Sequence, residues 1–207
     1  MKHKLSNFLT KLKRDSRGAT AVEYALILPA FLSLTLGSVE IGRILMVYSA
    51  LEGAVTESTR IAMTGSVPDG YASVDEYIRD FVTNSLGNVG VDAGVNISMN
   101  VYDSFSAIGA EEPYTDIEGN LVCDNGDPYT DVNDNGEWDA DMGASGTGGQ
   151  ENIMLMRIAV ELPYMMHGVL DSFSVTPNIN LSTSTAIRNE PFGGTSWTPS
   201  DTVRNCV

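Results

Sequence analysis

The chain has 207 residues, 43% of them hydrophobic, with 20 Gly, 8 Pro, 2 Cys and a formal net charge of −15. That composition fits one domain of moderate size with an extension, and it excludes a collagen-like, wholly disordered or multi-span chain. The 27 acids against 12 basic residues exclude a general nucleic-acid binder, because a phosphate backbone is held by clustered Lys and Arg.

The charge is unevenly placed. Lys2, Lys4, Lys11, Lys13, Arg14 and Arg17 fall before residue 18, with Asp15 as the only acid there; beyond it the chain carries −20. A basic leader, residues 1–18, thus precedes a strongly acidic body. Residues 19–39, ATAVEYALILPAFLSLTLGSV, hold one charge, Glu23. As a helix this stretch covers about 30 Å, the thickness of a hydrocarbon core, so it predicts a transmembrane helix surrounded by membrane lipid. The positive-inside rule then sets the N-terminus in the cytoplasm and the body outside it, a single-pass protein of a cytoplasmic membrane. Pro29 removes one helical hydrogen bond, which predicts a local kink or unwound turn.

An ordinary secretory signal ends its apolar run at a small-residue cleavage site, whereas here the small pair Gly18-Ala19 precedes the run. The stretch RGATAVEY resembles the prepilin class, in which a prepilin peptidase cuts after a Gly and a Glu stands five residues into the mature chain. Gly18, Ala19, Glu23 and Tyr24 are the matching residues, and Glu-Tyr at that place is similar to the Flp and TadE branch. The run GSVEIGRILMVYSALEGAVTESTRIAMTG is similar to TadE-like proteins, and INLSTSTAIRNEP to their closing strand. The resemblance covers about residues 14–65 well and 150–191 loosely.

It implies a minor pilin or pseudopilin of the tight-adherence (Flp) pilus, acting in pilus assembly, surface adherence and biofilm formation. The implied partners are the prepilin peptidase, other pilins and pseudopilins through the N-terminal helix, a secretion ATPase and the Tad inner-membrane platform. Glu23 would then meet the α-amino group that cleavage creates at Ala19 of a neighbouring subunit. Read from the residues alone, an intramembrane Glu either has a partner or reaches water near the helix end. The small residues Ala21, Ala25, Gly37 and Gly42 would let helices approach closely in a bilayer.

The body, residues 40–191, predicts an α+β fold of pilin-like outline. Ile41, Leu45, Tyr48, Leu51, Val55 and Ile61 continue the helical pattern to about Met63, and Thr64-Gly65 ends it. A second helix is predicted over residues 74–86, with Ser73 as N-cap and Glu76 three residues on in a capping box. Three alternating segments predict an antiparallel sheet packed on the long helix: Val95 to Val101, Met154 to Leu162, and Ile179 to Ile187.

Within loop 111–150 there are 11 acids between Glu111 and Asp141 and no Lys or Arg. Asp131, Asn133, Asn135, Gly136, Glu137 and Asp139 follow the first nine positions of an EF-hand loop, the spacing that wraps oxygen ligands around Ca2+. Met142 stands where that loop has its bidentate Glu, so Asp141, Asp127 or Asp124 would have to complete the shell. The alternative is a solvated, Gly-rich acidic loop through Gly143–Gly149. Cys123 and Cys206 are expected to pair in an oxidising compartment and pin the tail, residues 192–207, to the base of this loop; free thiols or a bridge between chains are the alternatives.

Catalysis has little to work with. The chain holds only His3 and His167, and no phosphate loop, HExxH or GxSxG appears, so no enzyme is expected. The competing reading is an uncleaved, single-span anchor whose calcium-bound body acts as an adhesion or recognition module.

Overall fold

The computed structural model describes residues 17–91, 94–124, 126–165, 178–191 and 196–207. The leader up to residue 16 and His167 lie outside them. The chain divides into two compact units, Met1–Leu45 and Met46–Val207.

In the first unit the described residues are helical, the start of α1 (Arg17–Thr64). Its 18-residue apolar window has a mean hydropathy of 1.7 and no buried residue, so by length and composition the helix is able to cross a membrane. Of the kink or unwound turn expected at Pro29, the unwound turn is not found: the helix runs unbroken across it. Hydroxyls turn inward along it: Ser33 donates to the Pro29 carbonyl at 2.8 Å, Thr35 to Phe31 at 2.8 Å and Ser38 to Leu34 at 2.7 Å. Each hydroxyl is thereby satisfied without water, as a hydrocarbon setting requires. Glu40 and Arg43 form an i,i+3 ion pair at 2.6 Å just beyond the apolar stretch.

The second unit is α+β. Within α1 the buried stripe is Val47, Leu51, Ala54, Val55, Ser58, Ile61 and Ala62, a three- and four-residue repeat that turns one face inward. Ile41, Leu45 and Tyr48, which share the helical pattern in sequence, are exposed. Apolar residues there run all round the helix, so periodicity does not single out a protein-facing side. The helix ends at Gly65, whose φ of 60° takes the left-handed turn and whose N–H bonds the Ala62 carbonyl at 3.2 Å.

α2 (Val74–Gly87) begins as predicted. The Ser73 hydroxyl accepts the Glu76 N–H at 3.1 Å, and the Glu76 carboxylate reaches back to the Ala72 N–H at 2.8 Å. Such a cap contributes about 1 kcal/mol. Ile78, Val82 and Leu86, four residues apart, are fully buried, each contributing roughly 1.5–3 kcal/mol.

Among the described residues six strands follow: β1 (Val95–Tyr102), β2 (Pro128–Asp131), β3 (Ala144–Ser145), β4 (Ile153–Pro163), β5 (Asn178–Arg188) and β6 (Thr202–Asn205). β1, β4 and β5 are the three predicted strands. They form one antiparallel sheet in the order β3-β1-β4-β5, and β2 pairs with β6 in a second, two-stranded sheet. On β4 the period of two is clean: Met154, Met156, Ile158, Val160 and Leu162 are buried, while Arg157 and Glu161 face out. Arg79 of α2 donates to the Ile97 carbonyl at 2.9 Å, tying the helix to β1.

The Gly-rich stretch after the acidic segment is built into the sheet. β3 pairs Ala144 with Val101 and Ser145 with Asn100. Gly143 lies so close to the Tyr102 ring that a Cβ there would stand 2.6 Å from it, and at Gly148 a Cβ would stand 2.9 Å from Val101. These glycines are places where backbone packs directly on side chains, not spacers.

Candidate functional site

Two regions carry the chemistry read from the sequence. Gly18, Ala19, Glu23 and Tyr24 all lie in the first two turns of the described part of α1, and all are exposed. Gly18-Ala19 lies in the first turn of the described part of α1, with nothing within 4 Å of the position a Gly18 Cβ would take. From Val22 to Val39 the large apolar side chains are exposed, including Leu26 at 75% and Leu34 at 74%. A helix surface apolar on every side is suited to lipid or to other helices. Gly37 and Gly42 are likewise open, leaving shallow places on that surface.

The second region is the acidic loop. Asp131 ends β2, and its carboxylate organises the turn that follows: Oδ1 accepts the Asn135 N–H at 3.1 Å and Oδ2 the Gly136 N–H at 2.9 Å. Asn133 Oδ1 accepts the Asn135 N–H, and Asn135 Oδ1 the Glu137 N–H. Asp134 and Gly136 take left-handed backbone, with φ of 56° and 88°, which lets the chain curl back. The amides of Asn133 and Asn135 both point to Asp139 Oδ2, at 2.8 and 2.6 Å. Asp131, Asn133, Asn135 and Asp139 are thus knit into one turn, while Glu137 contributes its backbone and leaves its side chain exposed.

The other acids are placed elsewhere. Asp141 accepts the Tyr102 hydroxyl at 2.9 and 3.0 Å. Burial and this carboxylate together hold the Tyr102 phenol far above its ordinary range. Asp127 is buried and accepts the Ile117 N–H at 3.0 Å, and Asp124 accepts the Asn120 amide at 3.3 Å. A cation already faces the turn, because the Arg204 guanidinium on β6 bonds Asp131 at 2.5 Å and Asp134 at 3.3 Å. Those carboxylates, Asp131 first, raise the Arg204 pKa. Among the described residues no three His, Cys, Asp or Glu side chains converge as a metal-binding group. The oxygen set of this turn is half amide, two Asp and two Asn.

Glu112 is the residue that sequence reading missed. It is fully buried behind the turn, where its carboxylate accepts the N–H groups of Val132 at 2.7 Å, Asn133 at 3.4 Å and Asp139 at 3.1 Å. Its carbonyl takes the Trp138 indole N–H at 3.0 Å. Burial raises its pKa, and the three N–H bonds only partly offset this. In the sequence Glu112 is one acid in a run of acids, and no spacing marks it.

Cys123 and Cys206 are joined, 83 residues apart in sequence with their Cα atoms 5.6 Å apart. The Gly126 N–H bonds the Cys206 carbonyl at 3.0 Å, and the Cys206 N–H bonds the Asp127 carbonyl at 2.9 Å. The tail is thus pinned at the base of the loop, and β6 extends that attachment through four paired residues on β2.

Residues 18–60 match the family model described as TadE-like protein. The matched span starts at the small-residue pair, runs through the apolar surface of α1 and takes in most of its buried stripe. No curated protein and no solved structure matches the chain significantly.

Proposed function

We propose that this chain is a pilin-like subunit of a Tad (Flp) pilus system, processed after Gly18 and held by α1 in a cytoplasmic membrane, with the acidic body on the far side. The observation that carries the reading is the coincidence of the TadE-like match, which starts at Gly18, with an exposed apolar helix long enough to cross a membrane. In this role α1 does the assembling. Its apolar surface packs against the helices of other pilins and pseudopilins, and its glycines admit close approach. The prepilin peptidase, the inner-membrane platform and the secretion ATPase are the machinery it meets. Adherence and biofilm formation follow from the pilus. Deleting the gene is expected to remove pili from the sheared surface fraction, with wild-type chain restoring them; undiminished piliation in the deletion strain overturns the reading.

The acidic turn is proposed as a calcium site. Asp131, Asn133, Asn135, Asp139 and the Glu137 carbonyl would supply oxygens, with Arg204 giving way at Asp131 and the two amides turning their oxygens inward. The fit rests on the left-handed backbone at Asp134 and Gly136 and on the convergence of those side chains. A site of this open kind works at extracellular, millimolar calcium. Calcium at a hundredfold excess over Kd is expected to add about 2.7 kcal/mol to unfolding stability. Asp131→Ala with Asp139→Ala should abolish that gain, read as the shift in denaturant midpoint with and without the ion. Equal midpoints in the wild-type chain would refute the site.

A further inference from the structure

Among the described residues β5 is the edge of its sheet and pairs with β4 alone, in an unbroken register of 11 residues from Asn178↔Pro163 to Arg188↔Ile153. Edge strands are ordinarily blunted by Lys, Pro, bulges or shortness. Here the strand NINLSTSTAIR has no Pro, no Lys and one charge, Arg188, at its end. Its inward row, Ile179, Leu181, Thr183, Thr185 and Ile187, is half-buried throughout, whereas the row beside it on β4 is fully buried.

The sequence of the edge says what fits it. Turned about Thr183, an antiparallel copy sets Ile179 opposite Ile187, Ser182 opposite Ser184, Leu181 opposite Thr185 and Thr183 opposite itself. Inward residues meet inward residues, as a continuous sheet demands, and the Thr-Thr and aliphatic pairs are of the kind that stabilise sheets. Charge agrees. Two strongly acidic bodies repel almost everywhere, but this edge carries no acid, and the charges on the exposed face of β4, Arg157 and Glu161, cancel. We propose that the free edge of β5 binds a second copy of this chain, β5 joining β5 antiparallel about Thr183.

The test uses full-length chain in native membranes, carrying the photocrosslinker p-benzoylphenylalanine at Ala186, in two differently tagged versions. Illumination is expected to give a two-chain adduct bearing both tags. Ser182→Lys with Ser184→Lys sets lysine against lysine across the pair, so the adduct should be lost; Ser182→Glu with Ser184→Glu should lose it too. Co-expressing the lysine and glutamate chains should restore a mixed adduct, which also shows that both variants fold. An undiminished adduct in the lysine chain alone overturns the proposal. So does failure of the mixed pair, crosslinking into residues 166–177 of the same chain, capture of a different protein, or no adduct.

Discussion

Protein purified from native membranes is expected to begin at Ala19, lighter by Met1 to Gly18, and to run full length where the prepilin peptidase is deleted or Gly18 is replaced by a bulkier residue. Gly18 has open space where a side chain would project, so Gly18→Ala leaves α1 intact and tests the peptidase alone. That cut would remove six basic residues and one acid, the positive segment from which the positive-inside rule sets the orientation. It also leaves an ammonium at Ala19, four residues from Glu23. A carboxylate in hydrocarbon costs about 3 kcal/mol, a cost that a neighbouring subunit's ammonium would offset. Glu23→Ala is therefore expected to be cut normally yet to fail in assembly, with intact mass reading the first effect and surface pili the second. A full-length mass in every strain would sink the processing step and leave an anchored body.

The second large effect concerns the disulfide. Cys206→Ser is expected to lower the unfolding free energy of the body by about 4 kcal/mol, since closing a loop of this length restricts the unfolded chain by that order. The loss should be local as well as global. Without the bridge, β6 is held by four residue pairs on β2 and by Arg204, whose side chain is partly exposed, on Asp131. Hydrogen exchange is expected to quicken first in residues 126–131 and 202–206, before β1 and β4 respond, while denaturant unfolding with and without reductant gives the total. Equal midpoints under both conditions, with unchanged exchange at Cys206, would show that the bridge only decorates a loop stable without it.

How far the sequence foretold this structure differs element by element. α2 was legible to within a residue because its start is chemical, a Ser hydroxyl and a Glu carboxylate three apart, and its face is a clean four-residue repeat. β1, β4 and β5 were legible because alternation is visible in any strand with one covered face. β2, β3 and β6 escaped notice. Their two to four residues are too few to show a period, and β2 finds its partner some 70 positions downstream. Along α1 the pattern foretold a helix to about Met63, as found, but not its covered side: Leu51, Val55 and Ile61 are buried and Ile41 and Leu45 exposed, because where apolar residues occupy every face the pattern carries no direction. Of the proposed calcium residues, Asp131, Asn133, Asn135 and Asp139 share one turn, while Asp141 turned to Tyr102. That choice, like the burial of Glu112, depends on contacts between distant segments, which local spacing does not encode.

The pairing of β2 with β6 also fixes an order in time. A ribosome delivers residues 128–131 long before 202–205, so the acidic turn is made without the Arg204 charge that faces Asp131 and without the strand that covers its base. Until the last strand arrives, the turn is held by its own bonds at Asp131, Asn133, Asn135 and Asp139 and by Glu112, with no cation facing Asp131. Disulfide closure is therefore a late event that reports on the whole body: a chain halted anywhere before residue 206 keeps its Cys123 thiol unmatched, and is marked as unfinished by its own chemistry.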